Sequence, residues 1–276
     1  MTEPLIHTAK KPRELIHHAV AWLEQGHRIA MLTLVVIEGN APYPVGSQML
    51  VRDDGQSHGQ ITGGCAETAL IEQALTVINS GQNTTERYGL GSRFFDIKLP
   101  CGSGLDIEFD VTRDLAFYQD IQTQLNVRQA VTINQSKRYY PTPRILLFGQ
   151  GPIVDSMISL ATQTGFDVLR FDHTQNQQVH HYCDQYTALV SLFHEHDFEI
   201  DILHAVIDSN LAYIGALGSK RTHAARLQRL SEKGVEQVLL NKIHGPIGLN
   251  IDAITPSQIA VSILAQIIGV MNSHAD

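Results

Sequence analysis

Apolar positions along this chain recur in two rhythms, and the exchange between them sets the expected fold. Leu15, Ile16, Ala19, Trp22 and Leu23 fall at helical spacing, which predicts a helix over 12–25 with Pro12 in its first turn and Gly26 past its end. A nearly unbroken apolar run over 29–37 predicts a strand buried on both faces. A short strand over 48–52 stops at the turn signal Asp53-Asp54-Gly55. Helical spacing returns at Leu70, Ile71, Ala74, Leu75 and Ile78 and ends at Asn79-Ser80-Gly81. One or two strands are expected within 87–99. Another follows over 105–109, where Leu105, Ile107 and Phe109 alternate, and then a helix over 114–125.

Residues 127–143 lose both rhythms. The run Gln135-Ser136-Lys137-Arg138-Tyr139-Tyr140-Pro141-Thr142-Pro143 is polar and carries two prolines, as a linker does. Beyond it, strands are predicted over 145–148, 167–171, 188–193 and 213–217, separated by helices over 152–163 and 198–207. A helix from Gly218-Ser219 runs to 233. A last one opens with the capping box Thr255-Pro256-Ser257-Gln258. That last helix carries Ile259, Ala260, Ile263, Leu264, Ile267 and Ile268, so it must pack on a domain or on another protomer. The expected fold class is α/β. A mixed α/β domain over 1–125 and a linker over 126–143 precede a Rossmann-like, doubly wound parallel sheet over 144–276.

The net charge of -8 argues against a nucleic-acid partner, since a phosphate backbone demands a basic face. No apolar run approaches the roughly 20 residues that cross a bilayer, so no membrane partner is expected. Three cysteines make no disulfide framework and suit a reducing cytoplasm, and Met1-Thr2-Glu3-Pro4 begins no signal peptide.

The chemistry concentrates in glycine turns. Gly63-Gly64-Cys65 runs straight into a helix pattern, which places Cys65 in the first helical turn, where free N–H groups and the helix dipole favour a thiolate. The bland alternative is a small buried residue that packs helix on strand. A second thiol sits in similar surroundings, Cys101-Gly102. Gly149-Gln150-Gly151 lies between a strand and a helix, and Asp172 ends the next strand: the layout that holds a phosphate at the helix start and a ribose hydroxyl at the acid. Val154 stands where the third glycine of the dinucleotide fingerprint belongs. The motif therefore speaks for the fold more than for NAD(P). Gly218 and Ser219 open a helix whose first residues, Lys220 and Arg221, add positive charge to a positive end: either an anion site or a capped helix with two solvated bases. His244, in a Gly-Pro-Gly loop, either borders a ligand or bonds to its own loop. His17 and His18 are expected to be solvated, and His180, His181 and Cys183 lack zinc spacing.

Several long strings together resemble the xanthine dehydrogenase accessory factor family, the XdhC/CoxI proteins. They are Ala41-Pro42-Tyr43-Pro44-Val45-Gly46, Gly63-Gly64-Cys65-Ala66-Glu67, Leu99-Pro100-Cys101-Gly102, Gly149-Gln150-Gly151, Tyr213 to Ser219, His244 to Leu249, and Thr255-Pro256 through Ala265. The chain departs from the family pattern at Tyr43, Ala66, Thr68 and Ser103. The resemblance implies an accessory chaperone rather than a catalyst. Such a protein binds the molybdenum cofactor while a cysteine desulfurase supplies its sulfido ligand, and delivers it to an apo molybdenum hydroxylase such as xanthine dehydrogenase. The residue chemistry fits this: Cys65 and Cys101 either contact the molybdenum, for which thiolates are soft ligands, or relay sulfur. Gly63, Gly64, Gly102, Gly149, Gly151, Asp172, Gly218, Ser219, Lys220, Arg221 and His244 are then the remaining cofactor-binding candidates, and a homodimer is plausible. The competing expectations are an NAD(P)-dependent oxidoreductase and a protein-only assembly factor.

Overall fold

The computed structural model describes residues 6–7, 12–92, 102–133, 137–171, 176–193 and 196–273. The chain divides into two compact units, 1–142 and 143–276.

Unit 1 contains β1 (Ile6–His7), α1 (Pro12–Glu24), β2 (Ile29–Glu38), β3 (Gln48–Arg52), β4 (Ser57–Gly59), α2 (Glu67–Ser80), β5 (Thr84–Gly89), β6 (Gly104–Asp110), α3 (Leu115–Asn126), β7 (Val131–Ile133) and β8 (Lys137–Tyr139). Its main sheet has the order β4-β3-β2-β6-β5, antiparallel throughout. Successive side chains of a strand leave opposite faces, so β2 feeds two cores. Ala30, Leu32 and Leu34 meet Leu70, Ala74 and Val77 of α2. Ile29 and Met31 meet Ile16, Ala19 and Val20 of α1 and Ile121 and Leu125 of α3. Burial of each large side chain here contributes about 1.5–3 kcal/mol.

The stretch expected as a linker differs from that expectation. Within it β7 pairs antiparallel with β8, and β8 pairs in parallel with β1, in a three-stranded sheet. Tyr139 of β8 is buried against the α1/α3 core, and Gln48 donates to its hydroxyl at 3.0 Å. A polar, proline-bearing run hides strands of three residues because two inward positions are too few to show an alternation. The strand expected within 87–99 lies earlier, as β5, and residues 93–101 are outside the described residues.

Unit 2 contains β9 (Arg144–Phe148), α4 (Pro152–Gln163), β10 (Asp167–Phe171), a 3-10 turn (Asn176–Tyr182), β11 (Thr187–Ser191), α5 (His196–Val206), β12 (Tyr213–Ala216), α6 (Lys220–Glu232), α7 (Gln237–Leu240), β13 (Ile243–His244) and α8 (Pro256–Ser273). All strands are parallel in the order β10-β9-β11-β12-β13. α4 and α8 cover one face through Val154, Met157, Ile263 and Ile267, while α5, α6 and α7 cover the other. The apolar last helix therefore packs on its own unit. Among the described residues no helix is long and apolar enough to cross a membrane.

Candidate functional site

Three loops gather at one end of the main sheet of unit 1. Residues 39–46 leave β2, residues 60–66 follow β4, and Gly102-Ser103 lead into β6. Ser103 Oγ receives the Asn40 amide at 3.1 Å and donates to the Asn40 carbonyl, which ties the first loop to the third. Tyr43 donates to Gln60 Oε1 at 3.0 Å, and Pro42 lies 3.5 Å from where a Gly63 β-carbon would stand, which ties the first loop to the second. Arg87 anchors the base: Nη1 meets Asp106 at 3.0 Å, Nε donates to the Leu90 carbonyl at 2.8 Å, and Nη2 pairs with Glu38.

The Gly63-Gly64-Cys65 turn sits on this platform. Gly63 and Gly64 have φ of 72° and 99°, a region that other residues enter only with strain. The turn delays the helix. α2 begins at Glu67 with Ala66 as its N-cap, so Cys65 stands before the helix and not in its first turn, contrary to the expectation. Its side chain is exposed, which also removes the packing alternative. Cys101 lies outside the described residues; its neighbours Gly102 and Ser103 belong to the platform.

The anion that the turn holds is its own Glu67. Oε1 receives the amides of Thr62 at 2.8 Å and Ile61 at 3.3 Å. Oε2 receives the Gly64 amide at 2.7 Å, the Thr62 hydroxyl at 2.5 Å and, more weakly, the Ala66 amide at 3.4 Å. Thr62 Oγ1 in turn accepts the Ala66 amide at 2.9 Å. Burial works against this charge, but the bonds from Thr62 and Gly64 outweigh it and hold the carboxyl below its ordinary range. A depressed folded value stabilises the fold above the unfolded value of about 4.5, and that contribution drains away as pH falls through the folded value. Urea midpoints measured against pH are therefore expected to drop more steeply below about pH 4.5 in the wild type than in Glu67→Gln. Parallel curves would contradict the assignment. The sequence pattern gives Glu67 no role of its own; the one signal it offers is an acid at a helix start.

In unit 2 the strand order places a switch point between β9 and β11, since α4 and α5 leave them for opposite faces. A crevice opens at such a point beyond the carboxyl ends of the strands. Gly149 lines it with φ of 129°, and a β-carbon there would lie 2.9 Å from the Leu192 carbonyl. Gly151 is the N-cap of α4 and supplies no side-chain cap, while Val154 is fully buried in the core. Asp172 lies outside the described residues.

One strand further, Ser219 caps α6 by accepting the Thr222 amide at 3.1 Å, and Lys220 and Arg221 are exposed beside it. Behind the Gly218 turn lies a network that no sequence motif announces. Arg226 and Glu199 form a buried ion pair at 2.9 and 3.2 Å, with both side chains 1% exposed. Ser191 at the end of β11 donates to Glu199 at 2.8 Å, and Arg226 Nη2 donates to the Leu217 carbonyl at 2.6 Å. Arg226 Nη1 is 3.2 Å from His223 Nδ1; a guanidinium only donates, so Nδ1 accepts and the ring proton resides on Nε2. Burial first, then the Arg226 charge, lowers the His223 pKa. The His223 ring occupies the space that a Gly245 β-carbon would need, which joins α6 to the loop after His244. His244 itself stacks on Tyr213 with centroids 4.6 Å apart, and burial lowers its pKa too. The legible signal for Glu199 is its helical spacing with Ile202, Leu203 and Val206, all buried.

Elsewhere the histidine expectation needs correction. His18 is not simply solvated: its ring lies 4.1 Å from His58 and 5.8 Å from Trp22. Burial lowers its pKa first, aided by His58 and His17.

The family profile described as "XdhC Rossmann domain" matches residues 145–267, and the profile "XdhC and CoxI family" matches residues 22–89. The chain is 32% identical to the molybdenum cofactor insertion chaperone PaoD of Escherichia coli, over 94% of this chain and 88% of that protein. It is 24% identical to a Bacillus subtilis protein described as a probable xanthine dehydrogenase component, over 90% of this chain and 94% of that protein. A crystal structure titled as a xanthine dehydrogenase from Bacillus halodurans has the same fold, with a TM-score of 0.74, 23% identity and 96% of each chain covered.

Proposed function

The chain belongs to the XdhC and CoxI family, and from that premise we propose that it is a chaperone that binds the molybdenum cofactor and inserts it into an apo molybdenum hydroxylase. The relative described as an insertion chaperone supports the class. The observation that carries the residue assignment is the exposed Cys65 thiol on a turn held open by two glycines. The donor set fits the cargo. A thiolate is a soft ligand suited to molybdenum, and among the described residues nothing lies within 4 Å of the β-carbon position at Gly64 to obstruct a bulky partner. Cys65 is the proposed metal contact. Cys101, beside the platform residues Gly102 and Ser103, is proposed as the second thiol.

The same reading assigns an anionic group, a phosphate or nucleotide, to the carboxyl edge of unit 2. There Gly149 and Gly151 shape the crevice floor, and the start of α4 lacks a side-chain cap. Asp172, Gly218, Ser219, Lys220, Arg221 and His244 are proposed to contribute along that edge. Bound cofactor would be held while a cysteine desulfurase supplies the terminal sulfido ligand, and the acceptor would be a xanthine dehydrogenase-like enzyme.

The test is direct. Protein purified from cells that make the cofactor is assayed for molybdenum and pterin, wild type beside Cys65→Ala. Near-stoichiometric cofactor in the wild type, falling at least about tenfold in the variant, is the expected result; tenfold corresponds to about 1.4 kcal/mol of lost binding. No cofactor in either sample, together with tight NADH binding by fluorescence titration, would replace the chaperone reading with an oxidoreductase.

A further inference from the structure

The Cys65 turn contains a filled anion nest. Carboxylate and nest belong to one short stretch, residues 61–67: three backbone amides and one hydroxyl lie within 3.3 Å of Glu67, and a fourth amide at 3.4 Å. Thr62 locks the arrangement from the other side, because its hydroxyl donates to Glu67 while accepting the Ala66 amide. Cys65 lies between the last two donors, Gly64 and Ala66, so its backbone is gripped on both sides while its side chain stays exposed.

We propose that Glu67, together with Thr62, is the positioning element of the Cys65 turn. By acting as the turn's internal anion it holds the thiol outward for a soft metal centre and takes the amides of Ile61, Thr62, Gly64 and Ala66 that a phosphate would otherwise use. The inference rests on the reading of Cys65 as the metal contact. It deepens that reading in one respect: the turn selects the metal end of a ligand and not its anionic end. Charge-assisted bonds from amides to a carboxylate are stronger than neutral ones, so one side chain suffices to hold the loop. Glutamine would present an N–H to donors that need an acceptor, and so would not replace it.

Two measurements on the full chain test this. The first is molybdenum retained after dialysis in the wild type, Glu67→Gln, Thr62→Val, Thr62→Ser and Cys65→Ala. Glu67→Gln and Thr62→Val are expected to bind about tenfold more weakly, the size of one lost charge-assisted contact, and Thr62→Ser like the wild type. Wild-type retention in Glu67→Gln and Thr62→Val beside loss in Cys65→Ala would overturn the positioning role and leave the metal contact standing.

The second measurement needs no cofactor. A nitroxide label is placed on Cys65 with Cys101 and Cys183 replaced by serine, and its mobility is read well below the melting temperature. Rotation about threefold faster in Glu67→Gln and Thr62→Val, but not in Thr62→Ser, is expected of a turn released from its anchor. Unchanged mobility would mean that Glu67 contributes stability alone, and would overturn the positioning role. Cofactor retained by Cys65→Ala beside a label freed by Glu67→Gln would sink the metal contact and keep the anchor. Inorganic phosphate that slows alkylation of Cys65 by iodoacetamide would overturn the closure of the turn to anions.

Discussion

Arg226→Ala is expected to destabilise unit 2 by about 3–5 kcal/mol, because it leaves the Glu199 carboxylate buried without its guanidinium partner. Both side chains are 1% exposed, so water cannot replace the lost bonds. The loss spreads, since Arg226 also holds the Leu217 carbonyl before the Gly218 turn and the His223 ring against Gly245. Glu199→Ala is expected to cost as much, for it strands the guanidinium instead. The pair together is a different matter. Glu199→Leu with Arg226→Met removes both charges and fills similar volume, and such exchanges are often neutral or stabilising. Urea unfolding of the single and double variants separates the terms. A single-variant loss below about 1 kcal/mol would mean that the charges are solvated and that the pair is not the buried anchor described.

Gly149→Ala is expected to cost about 2–5 kcal/mol, combining backbone strain at φ of 129° with a β-carbon 2.9 Å from the Leu192 carbonyl. The carbonyl belongs to the backbone that follows β11, so it cannot swing aside as a side chain would. The variant would push the carboxyl ends of β9 and β11 apart, at the switch point where the crevice opens. Gly151→Ala supplies the comparison. Its φ of 96° is also unfavourable, but among the described residues nothing lies within 4 Å of the new β-carbon, so only strain of about 1–3 kcal/mol remains. Thermal unfolding of the two variants should rank Gly149→Ala well below Gly151→Ala. Equal midpoints would show that the close approach of the strands is not the constraint at residue 149.

Much of the architecture is legible because it is periodic. Helical spacing locates α1, α2, α4 and α8, and the apolar run over 29–37 locates β2, since a side chain's face depends only on its place in the local repeat. Glycine followed by a helix pattern points to the turns at 63–65, 149–151 and 218–219. The elements that pattern misses share one feature. β1, β4, β7, β8 and β13 have two or three residues each and α7 four, too few for a rhythm, and the strands exist because they pair with other strands of their unit. Pattern places Cys65 inside a helix because it cannot show that a downstream carboxylate folds back on its own turn.

By itself the sequence determined the types of the longer elements, the change of character near the middle of the chain, the parallel, doubly wound class of the second unit, and the residues that resemble one family. Tertiary structure alone decided the order β10-β9-β11-β12-β13, and with it the strands between which the crevice lies. It decided that Asn40 and Ser103, 63 positions apart, bind one loop to another, and that Glu199 and Arg226, 27 apart, share one buried pair. It also decided that the amides beside Cys65 already hold an anion. The physical reason is range. A period states which side of an element must leave water, and neighbours along the chain suffice to produce it. The partner that covers that side, or satisfies a particular amide, is chosen by packing and hydrogen bonding across the whole unit, which no local repeat encodes.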